Sequence, residues 1–482
     1  MAKGFEDRIL EERKKLRVSK DDLKARVDAS PYGSKTKEYL KRWIDVESTG
    51  EVGFALWSCP PVIERGSGSK VYDADGKEYI DCITGFSVNN LGICNPEIVE
   101  AIRKQAGKLI HYFDLPTPPR IELSEKLVQI TPGNFPKKVI YSSTGSEIIE
   151  AAIKLVRWYT GKPFILTPYG DYHGRTAAAQ ALTGKGGMWL YHYPLPPQDS
   201  GVFFFPYAYC YRCAFDKTYP ACDLFCVKYL EDLFESKEAP FRDPKADINN
   251  VAAIIIEPMQ SSAGYIVPPK EYLVRLKEFC DKYDVVLVVD EIQTGMGRTG
   301  KMWACEHSGV APDLMAVAKT LGGGIALSAL IGKEEILDSW GPAAHLGTFS
   351  GNALACAAAN KVLEIMERES IPAKAAEKGA YFVDGLKQIA KNHPLVGDAG
   401  GIGLYLSLEF VKDRKTKEPA SEETGFMATE CLKEGLICEH TGYYFNRFNL
   451  IPSLLIKKDE IDRALDILDR VIARAEEKFG YR

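Results

Sequence analysis

The central part of the chain alternates between two hydrophobic patterns. Apolar runs such as "VAAIIIEP" and "DVVLVVDE" have no polar face, which is typical of strands covered on both sides of a parallel sheet. Between these two runs, "EYLVRLKEFCDKY" has apolar residues at helical spacing. The alternation of buried strands and amphipathic helices from about residue 96 onwards predicts an α/β domain with a mostly parallel sheet.

The two ends of the chain have different patterns. The first fifty residues are rich in charge and have little apolar periodicity, so we expect an N-terminal arm or helix there. The stretch "KVYDADGKEYIDC" alternates apolar and polar residues around Asp-Gly, which predicts a β-hairpin. After a helix expected at about 351–367, long charged helices and shorter strands indicate a smaller domain. The predicted parts are an N-terminal arm with part of the small domain (1–95), a large domain (96–362) and a C-terminal small domain (363–482).

Composition and charge narrow the function classes. The 482 residues are 45% apolar and 26% charged, which is ordinary for a soluble globular protein. A formal net charge of −5 argues against a nucleic-acid or membrane surface, and no apolar stretch approaches the length of a membrane span. The start, "MAKGFEDRILEERKKLRVSK", lacks the apolar core of a secretory signal, so we expect a cytoplasmic location.

Four of the twelve cysteines are close together in an insertion at about 207–228, "YCYRCAFDKTYPACDLFC". The C-x2-C and C-x3-C spacings of this group suit a tetrahedral metal site, but the eight residues between them are fewer than in common zinc ribbons. Two interpretations remain open, a structural metal or redox-linked pair and reduced thiols in a surface insertion. The residues concerned are Cys210, Cys213, Cys222 and Cys226.

The stretch "YSSTGSEIIEAAIKL" predicts a strand, a turn of small residues and a helix. Backbone amides and the helix dipole at such a junction favour a phosphate, and the hydroxyl groups of the turn are further donors. The alternative is ordinary capping of the helix by serine or threonine.

The run "VVLVVDEIQTGMGRTG" ends a strand that has no polar face with two adjacent acids. Neighbouring side chains on a strand point to opposite sides, so Asp290 and Glu291 cannot have the same role. An ionised carboxylate beside such a core requires a positive partner. Since ligands of open α/β sheets bind at the carboxyl ends of strands, a cationic ligand atom is one candidate, and a helix cap or surface ion pair is the other.

Three further stretches carry candidate chemistry. In "PDLMAVAKTLGGG", Lys319 follows a short apolar strand, where partial desolvation lowers the pKa of an amine and makes it nucleophilic. "YGDYHGRTAAA" places Tyr172 and His173 next to each other, and "HLGTFSGNALACAAA" places Thr348 in a turn before a helix. A phosphate site, an aromatic face, a strand-end acid and a strand-end lysine together match the needs of pyridoxal phosphate.

These motifs resemble those of one enzyme family. "DEIQTGMGRTG", "PDLMAVAKTLGGG" and "GTFSGNALACAAA" are similar to the cofactor signature of the class III (omega-type) aminotransferases, and the likeness covers roughly residues 50–475. The resemblance implies an α/β fold of fold type I, with a mostly parallel seven-stranded sheet in the large domain and a smaller α+β domain. It also implies pyridoxal 5'-phosphate as the cofactor, and an amine or amino acid and a keto acid as substrates.

The resemblance further implies roles for single residues. Lys319 would form the Schiff base with the cofactor and transfer the proton, and Asp290 would pair with the pyridinium nitrogen. Gly145 and Ser146 would bind the phosphate through backbone and hydroxyl donors.

Tyr172 would stack on the cofactor ring, Ile292 would pack on its opposite face, and Gln293 would lie near the ring hydroxyl. In this family the site lies at a dimer interface, where Thr348 would reach the phosphate of the neighbouring subunit. A homodimer or a dimer of dimers is therefore expected.

Several positions depart from the family pattern at the expected substrate side. Gly400 and Asn449 stand where arginines are usual, and the arginine at the second position grips the substrate carboxylate in many members. Arg447 lies two residues before Asn449, on the same face of a strand, and is a candidate substitute. Ser261–Ser262 replace a Gly-Glu pair, whereas Glu257 remains as a candidate substrate residue.

Loss of a bidentate arginine–carboxylate contact weakens the expectation of a glutamate-type second substrate. Within the pyridoxal-phosphate enzymes the first interpretation is an aminotransferase. A racemase or epimerase of amino acids and an ammonia- or phospho-lyase are the alternatives. A metal- or redox-binding protein built around the cysteine group is the alternative from a different class.

Overall fold

The protein is described by a computed structural model covering residues 18–55, 60–185, 201–236, 238, 241–243 and 248–481. Its first elements are helices α1 (Lys20–Ala29), α2 (Ser34–Val46) and α3 (Thr49–Ala55), followed by strands β1 (Ile63–Ser67), β2 (Lys70–Asp73) and β3 (Glu78–Asp81). The predicted hairpin is confirmed, because β2 and β3 are antiparallel and the turn residue Gly76 has a φ of 88°, which glycine adopts freely. The predicted N-terminal arm comprises the first fifty residues, and its residues 1–17 lie outside the described residues.

The central sheet follows helices α4 (Thr84–Ser87), α5 (Pro96–Ala106) and α6 (Pro118–Ile130). Its seven strands are β4 (Lys137–Ser142), β5 (Phe164–Pro168), β6 (Val202–Phe205), β9 (Val251–Ile256), β10 (Val286–Asp290), β11 (Leu314–Val317) and β12 (Ser328–Lys333), and a separate pair is formed by β7 (Arg242–Asp243) and β8 (Ile248–Asn249). The spatial order is β4, β12, β11, β10, β9, β5, β6. Strand β12 is antiparallel to both neighbours and the other neighbouring pairs are parallel, so the predicted mostly parallel seven-stranded sheet is confirmed.

Helices cover both faces of this sheet. They are α7 (Gly145–Thr160), α8 (Ala177–Ala181), α9 (Phe225–Glu235), α10 (Glu271–Tyr283), α11 (Glu334–Leu337) and α12 (Ala353–Arg368). Every residue of β9 is buried: Ile254 packs into the same core as Leu276 of α10, and Ile255 packs on the opposite face with Ile149 of α7. Because each such side chain contributes about 1.5–3 kcal/mol when buried, a strand between two helical layers has no polar face.

The rest of the chain forms helices α13 (Ile371–Asn392), α14 (Ser421–Glu434) and α15 (Lys458–Phe479) and strands β13 (Val396–Ile402), β14 (Tyr405–Asp413), β15 (Glu418–Pro419), β16 (Leu436–Ile437), β17 (Glu439–Thr441) and β18 (Arg447–Leu450). Strands β13, β14, β18 and β17 form one sheet in that order, with β15 paired to β14. Strand β16 pairs in parallel with β3, so segments from both ends of the chain share a sheet. The exact domain boundaries stay a prediction.

Of the helices in the described ranges, none combines the length and the hydrophobicity that crossing a bilayer requires. The two 22-residue helices, α13 and α15, carry charged residues along their length. The cytoplasmic location stays a prediction.

The parallel strands bring distant residues to one edge of the central sheet. Asp290 ends β10, and Lys319 lies two residues beyond the end of β11. The turn that starts at Ser143 follows β4, which points the same way as β11 because both are antiparallel to β12. Ligands of open α/β sheets bind at this edge, outside the carboxyl ends of the strands.

Candidate active site

A cavity of about 390 Å³ lies at the carboxyl edge of the central sheet. This volume is within the range of small-molecule pockets, roughly 300–1,000 Å³. Its wall contains six residues that the sequence predicted to bind the cofactor: Gly145, Ser146, Tyr172, Asp290, Gln293 and Lys319. The fold therefore brings together residues that are up to 174 positions apart in the chain.

Lys319 begins a short 3-10 turn and has a φ of 47°, a left-handed conformation that costs about 1–2 kcal/mol for a residue with a Cβ. Its Nζ donates a hydrogen bond of 2.7 Å to Oε1 of Gln293. Burial lowers the pKa of the Lys319 amine to about 8, although Glu257 and Asp290 partly oppose this. A larger share of the amine is therefore neutral and nucleophilic near pH 7 than for an exposed lysine.

Asp290 is buried and has a cationic neighbour that the sequence did not identify. Nδ1 of His173 lies 2.8 Å from Oδ2 of Asp290, and Nε2 of His173 lies 3.6 Å from Oδ2 of Asp171. Burial lowers the pKa of His173, but the hydrogen bonds to Asp171 and Asp290 outweigh it and raise the pKa to about 10. His173 is thus an imidazolium that balances part of the buried negative charge. Asp290, the first acid of the "DEIQ" motif, therefore contacts His173 and also lines the cavity.

The second acid of that motif, Glu291, points away from the cavity, as strand alternation predicts. Its carboxylate accepts hydrogen bonds from the hydroxyl of Thr294 at 2.6 Å and from the backbone amide of Cys305 at 2.8 Å. Burial raises the pKa of Glu291. Glu291 therefore stabilises the glycine-rich turn after β10 and does not face the ligand site.

The predicted phosphate site is the start of helix α7. Thr144 caps the helix in a reciprocal box with Glu147, whose carboxylate accepts hydrogen bonds from the backbone amides of Ser143 and Thr144 at 2.8 and 2.9 Å. The next two amides, of Gly145 and Ser146, lie in the first turn, where a helix offers no carbonyl partner. The capping box therefore leaves the amides of Gly145 and Ser146 available, and the phosphate site stays a prediction.

Gly174 allows the loop after β5 to approach this helix closely. Its φ is 134°, and a Cβ built on it would lie 2.8 Å from the Cβ of Ser146. The backbone amide of Arg175 donates to Oγ of Ser146 at 3.2 Å, which orients that hydroxyl group. The glycine is thus required by the close contact between the loop and the phosphate site.

Two apolar groups complete the cavity. Tyr172 and Ile292 are both in its wall.

Glu257 connects two loops of the cavity. The backbone amide of Tyr172 donates to its Oε1 at 2.7 Å. Oε2 of Glu257 accepts from the amide of Ser261 at 3.0 Å, so this carboxylate fixes two cavity loops. Burial, together with the negative charges of Asp171 and Asp290, raises the pKa of Glu257 to about 8.

The functional groups that line this cavity fit pyridoxal phosphate. The buried Lys319 amine is the nucleophile that an aldehyde requires, and the carboxylate of Asp290 is the anion that a pyridinium nitrogen requires. The amides of Gly145 and Ser146 stand at the start of a 16-residue helix, where a phosphate is favoured. An aromatic ring and an isoleucine are available to enclose a flat heterocycle.

The two candidate substrate residues of β18 are already engaged with the protein. Arg447 is buried, and its guanidinium contacts the carboxylates of Glu409 at 3.3 Å and Asp398 at 3.1 Å and the carbonyl oxygen of Gly264 at 2.7 Å. Asn449 is also buried, and its Nδ2 donates to Oε2 of Glu439 at 3.1 Å. A role for Arg447 in gripping a substrate carboxylate has no support from these contacts.

Thr348 is exposed in the turn before α12, and the cavity wall that the described residues form does not include it. Its neighbours Leu346 and Phe349 are 57% and 63% exposed. The resemblance assigns Thr348 to the site of a neighbouring subunit, and this assignment stays a prediction.

The cysteine group lines a separate cavity of about 20 Å³ and consists of free thiols, Cys210, Cys213, Cys222 and Cys226. Burial raises the pKa of Cys210 and raises that of Cys226 to about 12, which favours neutral thiols over metal-binding thiolates. In the part of the chain that the structure describes, no three or more His, Cys, Asp or Glu side chains are arranged to hold a metal ion. The described residues give no support to a metal site in this insertion, and the metal interpretation stays a prediction.

The chain is similar to known proteins over most of its length. The family described as "Aminotransferase class-III" matches residues 56–472. The chain is 37% identical over 421 residues to the leucine/methionine racemase of Thermococcus litoralis, covering 87% of this chain and 92% of that protein. It is 35% identical over 411 residues to the 5-aminovalerate aminotransferase of Pseudomonas aeruginosa, covering 85% of this chain and 92% of that protein.

A solved structure agrees with this assignment. The amine transaminase from an uncultivated Pseudomonas species, solved in its PLP-bound form, superposes with a TM-score of 0.79 at 30% identity. The match covers 86% of this chain and 95% of that one. The chain therefore belongs to the class-III aminotransferases of fold type I, and it is an enzyme that uses pyridoxal phosphate to move an amino group from an amine or amino acid to a keto acid.

Proposed function

We propose that Lys319 is the residue that binds the cofactor aldehyde and moves the proton in this transfer. The observation that carries the proposal is the position of a buried amine and a buried carboxylate, Lys319 and Asp290, in one cavity at the carboxyl edge of the sheet. With its pKa lowered to about 8, the Lys319 amine is an effective nucleophile and also an acid–base group near neutral pH.

Lys319 has two tasks in turn. Its amine would hold the cofactor and would be released when a substrate amine takes its place. Nζ would then act as a general base on the proton of the substrate carbon that bears nitrogen, and as a general acid that delivers this proton to the cofactor carbon on the other side of that nitrogen. The bound cofactor supplies an electron sink for the electron pair that the departing proton leaves.

Asp290 and His173 act together on the other side of the site. The imidazolium of His173 donates to Oδ2 of Asp290, and the backbone amide of Ile292 donates to Oδ1 at 3.0 Å. Each carboxylate oxygen has two lone pairs, so Asp290 retains acceptor capacity for the pyridine nitrogen. We assign His173 as the residue that orients the Asp290 carboxylate and places a positive charge beside it.

The remaining cavity residues bind and orient. The amides of Gly145 and Ser146 would hold the phosphate, Tyr172 and Ile292 would enclose the ring, and Gln293 would donate to the ring hydroxyl. Oε1 of Gln293 accepts a hydrogen bond of 2.7 Å from Nζ of Lys319, so this side chain also orients the amine.

We further propose a homodimer, with Thr348 completing the phosphate site of the partner subunit. Large apolar side chains are exposed near this residue, and the rings of His111 and Phe349 lie 5.0 Å apart, which joins the two surface segments that carry them. Exposed contiguous apolar surface marks interaction sites. The exposed residues are Ile110, Tyr112, Phe113, Leu115, Leu346 and Phe349.

Racemisation is the second candidate activity, and one residue favours it. Asn449 is uncharged and stands where the resemblance expects an arginine for the carboxylate of a second substrate. A racemase requires no keto acid, and the relative from Thermococcus litoralis is named as a racemase. No comparable observation favours the lyase alternative.

Product analysis of the holoenzyme separates the two activities. Purified protein is incubated with a panel of amines and L-amino acids, with and without a keto-acid acceptor such as pyruvate. Formation of a new amino acid only when the acceptor is present supports the aminotransferase. Interconversion of enantiomers without an acceptor supports the racemase.

Substitution tests the assigned lysine. Lys319→Ala should remove the Schiff-base absorption band of the purified protein and lower kcat by at least about 10²–10⁴-fold, the usual contribution of an acid–base group. Lys154→Ala, an exposed lysine on α7, should retain both the band and the activity. An unchanged absorption band in Lys319→Ala would contradict the assignment.

A further inference from the structure

A half-buried carboxylate that this mechanism does not use is connected to the lysine through hydrogen bonds. Glu439 of β17 is directly opposite Asn449 of β18, and the Tyr265 hydroxyl group donates to its carboxylate. The same hydroxyl accepts a 2.6 Å hydrogen bond from Nε2 of Gln293, whose Oε1 accepts from Lys319 at 2.7 Å. Only two side chains therefore separate Glu439 from the reacting amine.

The charge of Glu439 is poorly compensated. Burial raises its pKa, and the cations that lower it again are Lys185 and Lys319. Nζ of Lys185 is held by the carbonyl oxygen of Ser262 at 2.8 Å and the hydroxyl of Thr441 at 3.1 Å. When the cofactor engages Lys319, Lys185 is the cation that remains among these two, so a positive group of a ligand would further stabilise the Glu439 carboxylate.

A second acceptor at the same place has no donor. Asn449 is fully buried, and among the described residues its Oδ1 has no hydrogen-bond partner. Its Nδ2 donates to Glu439, which fixes the orientation of the amide, because reversing it would set Oδ1 against the carboxylate. A buried acceptor without a donor costs about 1–3 kcal/mol, so this oxygen also requires a donor group.

Asn449 lies next to the wall of the cavity, and the hydroxyl group of Tyr265 connects Glu439 to Gln293 in that wall. Nδ2 of Asn449 lies 3.5 Å from the carbonyl oxygen of Ser261, and Ser261, Gln293 and Lys319 are all in that wall. Glu439 retains partial solvent exposure although the protein surrounds it. An ammonium group has three donors, which suits one carboxylate and one amide oxygen, whereas a substrate carboxylate would be repelled by Glu439.

We propose that Glu439 and Asn449 form a subsite for the distal ammonium group of the substrate. The preferred amino donors are then diamines and basic amino acids, with one amine at the reacting position and the other at this subsite. The inference rests on the proposed role of the Lys319 cavity. It makes Glu439 a specificity-determining residue.

Matched substrates test the subsite in the holoenzyme. We expect kcat/KM with pyruvate as the acceptor to be at least about tenfold higher for 1,5-diaminopentane than for n-pentylamine. Glu439→Gln should lower kcat/KM for the diamine by about 10- to 100-fold, as expected for a hydrogen bond to a charged group, and change that for pentylamine less than threefold. Lysine and norleucine form a second matched pair, which also serves if the activity is racemisation.

Two control variants keep the result interpretable. Glu422→Gln removes an exposed carboxylate at the start of α14 and should leave both values unchanged. Glu439→Asp retains the charge and should lose less than Glu439→Gln. The cofactor absorption band should be the same in all three variants, which shows that the Lys319 site is intact.

Equal losses with both amines, or no loss with the diamine, would overturn the subsite and leave the proposed function standing. A wild-type enzyme that prefers pentylamine would overturn it as well. Failure of the wild-type holoenzyme to process any donor, with or without an acceptor, would instead overturn the proposed function, and the subsite with it.

Discussion

Nδ1 of His173 lies 2.8 Å from Oδ2 of Asp290, and both side chains are buried below the cofactor cavity. Two acids, Asp171 and Asp290, stabilise the imidazolium against the cost of burial and raise its pKa to about 10. This geometry places a positive group beside the Asp290 carboxylate within the protein itself. Under the proposed function, His173 would hold Asp290 in place for the pyridine nitrogen before the cofactor binds.

The pH dependence of stability should reveal this pair. The pKa of His173 is raised from 6.5 to about 10 on folding, so its stabilising contribution is complete below pH 6.5 and is lost as the pH rises towards 10. His173→Gln retains a donor but no titrating charge. We expect the Tm difference between the wild-type and His173→Gln apoenzymes to be largest below pH 6.5 and to shrink by pH 10.

Lys319 also titrates within this pH range, with a pKa of about 8, but it is present in both proteins and cancels in the difference. Thermal unfolding monitored by circular dichroism at a series of pH values gives the measurement. A Tm difference that stays constant from pH 6 to pH 10 would show that His173 is not charged in the folded protein.

Gly174 provides a test of the phosphate site. Gly174→Ala adds a Cβ 2.8 Å from that of Ser146 at a φ of 134°, so the loop must move away from the start of α7. Strained backbone of this kind costs of order 1–3 kcal/mol, and we expect the affinity for pyridoxal phosphate to fall about 5- to 100-fold. Fluorescence titration of the apoenzyme with the cofactor measures this affinity.

Gly161→Ala is the matched control at the other end of the same helix. Gly161 also has a positive φ, 67°, but a Cβ there would meet nothing within 4 Å. This variant should lose some stability and keep its cofactor affinity. If the two variants bound the cofactor with equal affinity, close contact with the phosphate site would not be the reason for the glycine at position 174.

Arg447 can be tested as a structural residue. Its guanidinium contacts Glu409 at 3.3 Å and Asp398 at 3.1 Å, and removal of one partner from a buried ion pair costs about 3–5 kcal/mol. Arg447→Met should therefore lower the free energy of unfolding measured by urea denaturation. The ratio of kcat/KM for carboxylate-bearing and uncharged donors should change less than threefold in the folded variant.

A selective loss of carboxylate-bearing substrates by Arg447→Met would restore the substrate role that the sequence suggested. Arg414→Met is a suitable comparison, because the guanidinium of Arg414 donates hydrogen bonds to backbone carbonyl groups, those of Ala390, His393 and Val396. It should affect stability alone.

Local pattern was sufficient for the residues that end strands. Asp290 and Lys319 stand out because a polar group follows an apolar run, and the parallel sheet then places both at one edge. The role of His173 could not be read in this way, since its partner Asp290 is 117 positions away. For Arg447 the pattern gave the correct face of the strand but not the partners, which come from β13 and β14. The sequence signal for these partners was Glu409, an acid within the apolar run "LYLSLEF".

The cysteine spacing has no support from the structure for a related reason. Ligand spacing predicts a metal site only if the fold brings the thiols together as thiolates, and burial here favours neutral thiols at Cys210 and Cys226. Sequence pattern also could not predict the contact between Glu439 and Asn449, because this contact arises from the register of β17 against β18. Sequence pattern therefore predicted the cofactor side of the cavity better than the substrate side.

The proposed role of Thr348 would link cofactor binding to assembly. If its hydroxyl group donates to the phosphate in the partner subunit, Thr348→Ala should weaken binding of pyridoxal phosphate by about 10- to 100-fold, the effect of losing one hydrogen bond to a charged group. Thr416→Ala, at another exposed turn, should have no effect.

The dimer itself is measured by sedimentation equilibrium. Phe349→Asp should shift the protein towards monomer, because Phe349 is 63% exposed within the apolar surface. A monomer of Phe349→Asp that binds the cofactor as tightly as the wild-type dimer would contradict a phosphate contact across the interface.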